Sequence, residues 1–261
     1  MKVFNWFKHN IFLAFTFFLI AFIPLFPKIP LLGVTHVNVY IRAEDFIVLV
    51  FVLVYIIQLL RRKITIKTPL TFVIVAFWVS GLISTILGLV FVFPYLKDSN
   101  ITGIPAIYTR NALLYYARHI EYMSLYFIAY SGIKSKKSIN IVVNVLIGTF
   151  LIVVLYGVGQ RFIPQKFPAF STMNEEFAKG IPLVLDAAGR LQSTFAGHYD
   201  FAAYLVMMIP LVGSLIFGYK KWFVKIGLLA ISFIAFFTLL MTQSRTSFLM
   251  YLLAVIFMLI L

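Results

Sequence analysis

The stretch FTLLMTQSRTSFLMY, residues 237–251, sets a single arginine between two apolar runs of the kind that lie in lipid. Arg245 has only Leu, Phe, Met and small polar groups around it in sequence, so water, headgroups or a bound anion must compensate its charge. One reading is an interfacial arginine that snorkels to headgroups. The other makes Thr242, Gln243, Ser244 and Arg245 a cationic, hydrogen-bonding turn that holds a phosphate. Arginine suits that task because its planar fork donates two hydrogen bonds to phosphate oxygens and its charge cannot be lost.

Two further stretches carry groups of the same kind. In RLQSTFAGHYDFAAYL, residues 190–205, Arg190 stands just outside an apolar run, and His198 and Asp200 fall in the first turns of the helix that follows. Asp200 or Thr194 reads as a helix cap that complements the helix dipole, and Asp200 alternatively as a polar contact to a substrate. His198 reads either as a proton-transfer group or as a hydrogen-bonded structural residue. The His-x-Asp spacing is too short to define a metal site, so no metal is expected. In ARHIEYMSLY, residues 117–126, counting inward from residue 111 puts Arg118 roughly 10 Å deep and Glu121 near the midplane. Charges at such depth face the bundle interior or a wet cavity, and this pair's spacing also allows a mutual ion pair. Tyr115, His119, Tyr122 and Tyr126 form another stripe. Glu44 and Asp45, in IRAEDF, read as a cap for the second span in preference to a catalytic base.

These groups need a scaffold built for lipid. The chain is 62% hydrophobic and 11% charged, with mean hydropathy +1.02, whereas a typical soluble chain is about 45–50% apolar. Composition therefore predicts an all-α, polytopic transmembrane helical bundle. The absence of cysteine excludes disulfides, thiolate catalysis and cysteine-ligated metals. The net charge of +14 sits in loops and does not point to nucleic acid. Apolar runs long enough for a hydrocarbon core of about 30 Å predict eight spans, near 10–26, 46–60, 70–93, 111–131, 139–159, 197–218, 222–240 and 246–261.

Basic residues fix the expected orientation, because they are retained on the cytoplasmic side of short loops. Lys2 and Lys8 precede the first span, Arg61, Arg62, Lys63 and Lys67 follow the second, Lys134, Lys136 and Lys137 the fourth, and Lys220, Lys221 and Lys225 the sixth. The other loops mix charges: Arg42 with Glu44 and Asp45, Lys97 with Asp98, and the 160–196 segment with Glu175, Glu176 and Asp186. The N-terminus is thus expected in the cytoplasm and the 160–196 loop outside. PLFPKIP follows the first span in place of a small-residue cleavage site, which makes that span an uncleaved signal anchor.

RLQSTFAGHYDFAAYL, then an apolar helix with a basic turn, then LLMTQSRTSFLMYLL, resembles the opening of the core region of the O-antigen ligase and polymerase family. The resemblance is strongest over 185–261 and divides the chain into N-terminal helices with the first part of the large outer loop, 1–184, and the start of the core region, 185–261. His198-Tyr199-Asp200 stands where that family commonly has an asparagine-containing start. The resemblance implies a glycosyltransferase-C-like helical fold in a bacterial-type inner membrane. It also implies transfer of glycan from a polyprenyl-pyrophosphate carrier to a glycan or lipid acceptor on the outer face, with no cofactor and no divalent metal. By position, the role of engaging the pyrophosphate falls on Arg190 and Arg245, with His198, Asp200, Arg118 and Glu121 as further substrate-binding candidates. The family's histidine-bearing outer loop would lie beyond Leu261, which falls inside an apolar run, so the sequence reads as a partial chain. The competing expectation is a transporter or flippase in which Arg118, His119 and Glu121 relay a proton or an anionic substrate, and a noncatalytic membrane partner is a third.

Overall fold

A computed structural model describes residues 10–26, 30–32, 41–92, 104–170, 182–186 and 188–260. Lys2, Lys8, Lys97, Asp98, Glu175 and Glu176, which entered the orientation argument, lie outside the described residues. Among the described residues the chain forms eight α-helices: α1 Ile11–Leu25, α2 Ala43–Leu60, α3 Thr71–Leu87, α4 Ile104–Gly132, α5 Lys136–Phe162, α6 His198–Gly218, α7 Trp222–Met241 and α8 Arg245–Ile260. A π-helical turn, Gly88–Val92, continues α3. Two short strand pairs join loop segments, β1 Pro30–Leu32 with β2 Ile41–Arg42 and β3 Ala169–Phe170 with β4 Pro182–Leu183.

The fold is all-α, and four helical segments are long and apolar enough to cross a membrane: Thr71–Phe91, Lys136–Phe162, His198–Gly218 and Trp222–Met241. Helices α1 and α8 are apolar but shorter. At 1.5 Å per residue the 21 residues of α6 extend about 31 Å, close to the thickness of a hydrocarbon core. The outward surfaces are apolar too. Phe72, Phe217 and Ile260 are each more than three-quarters exposed, a pattern that suits lipid because the helix satisfies its own backbone and leaves only side chains to the solvent. Helix α4 begins at Ile104, ahead of the apolar run that starts near residue 111, since helical hydrogen bonding continues past the point where apolar side chains end.

The chain divides into two compact units, one of Met1–Leu19 and Leu31–Val142, the other of Ile20–Pro30 and Val143–Leu261. In the first, α4 packs against α2 and α3. A Cβ on Gly132 would fall 2.7 Å from the backbone of Phe12 and Leu13, so the approach of α1 to the end of α4 depends on glycine there. Phe15 of α1 stacks on Phe51 of α2 with centroids 3.9 Å apart. In the second unit, α6 packs against both α7 and α8. Phe150 and Val154 of α5, Phe201 and Leu205 of α6, and Ala235 and Leu239 of α7 form one buried core.

Candidate functional site

Every residue from Leu191 to Gly197 is buried, although the segment is a connection between elements. Buried loops are rare because their amides and carbonyls must find partners away from water. Here the side chains supply them. Gln160, in the last turn of α5 and 1% exposed, donates from Nε2 to the Ser193 carbonyl at 2.8 Å and accepts the Ser193 amide on Oε1 at 2.7 Å. Ser193 takes the left-handed region, φ 51°, and its hydroxyl donates to the Val153 carbonyl at 2.7 Å. The Thr194 hydroxyl donates to the Pro24 carbonyl at 2.5 Å, satisfying one of the orphan carbonyls at the end of α1.

Thr194 is therefore not the cap of α6, the role open to it from sequence. Gly197 occupies the cap position with no side-chain bond, and Asp200 lies exposed in the first turn, where its carboxylate complements the positive end of the helix.

At the other end of the buried segment, the Leu191 side chain enters the core and its amide donates to the carbonyl of Met241, the last residue of α7, at 3.2 Å. Arg190 is thereby held beside the turn that joins α7 to α8. That turn is Thr242-Gln243-Ser244. The Thr242 hydroxyl donates back to the Leu239 carbonyl at 2.7 Å and accepts the Ser244 amide at 3.3 Å, while Gln243 adopts φ 57°. Ser244 then caps α8, its Oγ donating to Ser247 Oγ at 2.7 Å and accepting the Ser247 amide at 3.4 Å. Arg245 follows as the first helical residue and is exposed.

Arg190 and Arg245, 55 positions apart in sequence, line the same open cavity of 670 Å³. Gln243 and Ser244 add polar groups, and Leu239, Leu240, Phe248 and Leu249 give it an apolar side. Among the described residues, none that lines it is acidic. Arg190 Nη1 lies 3.2 Å from His198 Nε2, and because a guanidinium can only donate, that ring nitrogen is the acceptor. His198 thus orients Arg190 at the rim. Two guanidinium groups at the start of a helix, beside an apolar wall, match a phosphate or pyrophosphate carried on a hydrocarbon chain.

No family model, curated protein or solved structure matches this chain. The chemistry of the cavity therefore rests on its own residues.

Arg118 and Glu121 belong to the other unit. Both are partly buried, and Arg118 Nη2 meets Asp45 Oδ2 at 3.1 Å, joining the middle of α4 to the first turn of α2. Asp45 was weighed from sequence only as a cap or a base, so this cross-helix pairing is new. His119 directs Nδ1 to the Tyr115 carbonyl at 2.7 Å and lines a separate cavity of 340 Å³ with Phe77, Trp78 and Tyr116. Among the described residues no group of three or more His, Cys, Asp or Glu could hold a metal ion. Gln160 escaped the sequence reading altogether. Its only signal there is a lone amide near the end of an apolar run, VVLYGVGQRF.

Proposed function

We propose that this chain is a multi-pass protein of a bacterial-type inner membrane, with its N-terminus in the cytoplasm, that works as a metal-independent glycosyltransferase of the O-antigen ligase or polymerase kind. The cavity between Arg190 and Arg245 takes the pyrophosphate of a polyprenyl-linked glycan on the outer face, and its apolar side takes the first part of the polyprenyl chain. The observation that carries this reading is the meeting of two arginines at one cavity whose described lining residues include no carboxylate. Like charges repel, and an anion with oxygens for both relieves that repulsion.

The chemistry follows from where charge develops. The bond between the sugar's anomeric carbon and the pyrophosphate oxygen breaks, with the electron pair leaving on the pyrophosphate. The acceptor hydroxyl oxygen forms the new bond to that carbon and gives up its proton to a base. Arginines fixed on the leaving group stabilise the negative charge as it grows, an electrostatic contribution that needs no rearrangement at the moment of reaction. On this topology Lys220, Lys221 and Lys225 mark the cytoplasmic end of the α6–α7 hairpin, and the cavity lies at its other end.

The test is glycan transfer in membranes containing the protein, with Arg245→Lys at matched protein level. Lysine keeps the charge but loses the bidentate fork, and the expected loss is at least tenfold, the size of about 1.4 kcal/mol of leaving-group stabilisation. Full transfer by the variant, or no transfer by the parent protein from any polyprenyl-pyrophosphate donor, would refute the proposal.

A further inference from the structure

The end of α2 is closed by a turn that glycine usually makes. The Arg62 amide donates to the Leu59 carbonyl at 2.9 Å, and the Lys63 amide to the Gln58 carbonyl at 3.0 Å, the paired bonds of a Schellman turn. Arg62 sits at its left-handed position with φ 56°. A side chain there is strained, because its Cβ crowds the following carbonyl. The chain nonetheless keeps an arginine, and the turn sends Lys63 and Thr65 to one side of a cavity of 490 Å³. Tyr130, Ser131 and Lys134, from the end of α4 and just beyond it, form the other side.

Both sides are held rigidly. After the turn, the Thr71 hydroxyl accepts the Thr68 amide at 2.8 Å and donates to the Ile66 carbonyl, which fixes the loop before α3. Across the cavity, the Ser135 hydroxyl accepts the Ser138 amide at 3.1 Å and caps α5, which fixes the residue after Lys134. Two ammonium groups therefore share a cavity whose described lining residues include hydroxyls and no acid. A generic basic loop of a membrane protein needs none of this construction, since positive charge alone serves orientation.

We propose that this cavity is a binding site for the phosphate of an anionic phospholipid, with Lys63 and Lys134 on the phosphate oxygens and the adjoining apolar faces of α2 and α4 along the acyl chains. Basic pockets between membrane helices suit such headgroups; Ile64 and Ile133 line the cavity beside the lysines, and α2, the helix that precedes Lys63, exposes Ile56, Ile57 and Leu60 as an apolar surface for the chains. A free phosphate ion would use the lysines but not that surface. The site is independent of the glycan-transfer reading, because it involves neither Arg190 nor Arg245.

The experiment is native mass spectrometry of the full chain released from nanodiscs of phosphatidylcholine containing a minor fraction of phosphatidylglycerol. The parent protein should retain one phosphatidylglycerol, and Lys63→Gln/Lys134→Gln should retain it about 30-fold less, at the roughly fivefold that each basic residue contributes beside an anionic surface. Lys220→Gln/Lys221→Gln, which removes the same charge from a basic turn outside this cavity, should retain it as the parent does. Equal retention by the Lys63/Lys134 variant, equal loss in the Lys220/Lys221 control, or displacement of the lipid by millimolar inorganic phosphate would overturn the assignment.

Discussion

Arg190 reaches its cavity because the segment that follows it is tied to both α5 and α7. Gln160 holds both backbone polar groups of Ser193, and Leu191 ties the start of the buried segment to Met241, so the position of the arginine is set by an amide on α5 and a carbonyl on α7. Replacing Gln160 with Leu keeps the helix but strands a buried amide and a buried carbonyl. The expected cost is about 2–6 kcal/mol, from the 1–3 kcal/mol that each unsatisfied group carries, read as a loss of thermal stability in detergent. An unchanged unfolding midpoint would show that water replaces the amide there. Arg245 was legible in sequence, since a charge between two apolar runs is conspicuous by its cost, and Arg190 was legible by its place just outside the apolar run that follows it and by the motif it opens. Gln160 was not, because an amide near a helix end has no such cost until the loop that needs it is known.

Among the helices, the pairing of α2 with α4 through Asp45 and Arg118 shows what a charge packed between two apolar helices requires. The partners are 73 positions apart, and their side chains are 18% and 20% exposed, so neither is freely solvated. Asp45→Asn should destabilise the protein by about 1.5–3 kcal/mol, because it removes the charge-assisted bond to Arg118 while Tyr122 and Glu121 remain beside the guanidinium. Arg118→Gln should cost less in the Asp45→Asn background than in the parent, since the bond it would break is already gone. Denaturant unfolding of the single and double variants decides this, and strictly additive losses would mean that the pair contributes only packing. Helix positions followed from apolar runs, and four of the eight described helices are long and apolar enough to cross a membrane. The Asp45–Arg118 contact did not follow, because an acidic residue in a first turn is equally well explained by the helix dipole, and only tertiary packing chooses between the two.

For the whole molecule, the account depends on which side of the membrane each loop occupies. Lys166, exposed after α5, should react as cysteine with a membrane-impermeant thiol reagent in intact cells, and Lys221→Cys, between α6 and α7, should not. The parent chain contains no cysteine, so the reading is free of background. The reverse labelling would place the Arg190–Arg245 cavity on the cytoplasmic face and remove the outer-face reaction. The meeting of those arginines was anticipated from topology alone, because antiparallel α6 and α7 return the chain to the height at which it entered. The amphiphilic lining was not, as it depends on how α8 leaves its serine cap. The most direct test of the central claim is equilibrium binding of a polyprenyl pyrophosphate, and separately of the corresponding polyprenol, to the purified protein. The account predicts that the pyrophosphate lipid binds at least tenfold more tightly than the alcohol, and that Arg190→Ala and Arg245→Ala each remove most of that difference through lost charge-assisted hydrogen bonds. Equal affinity for the two lipids, or a preference that survives both substitutions, would contradict it.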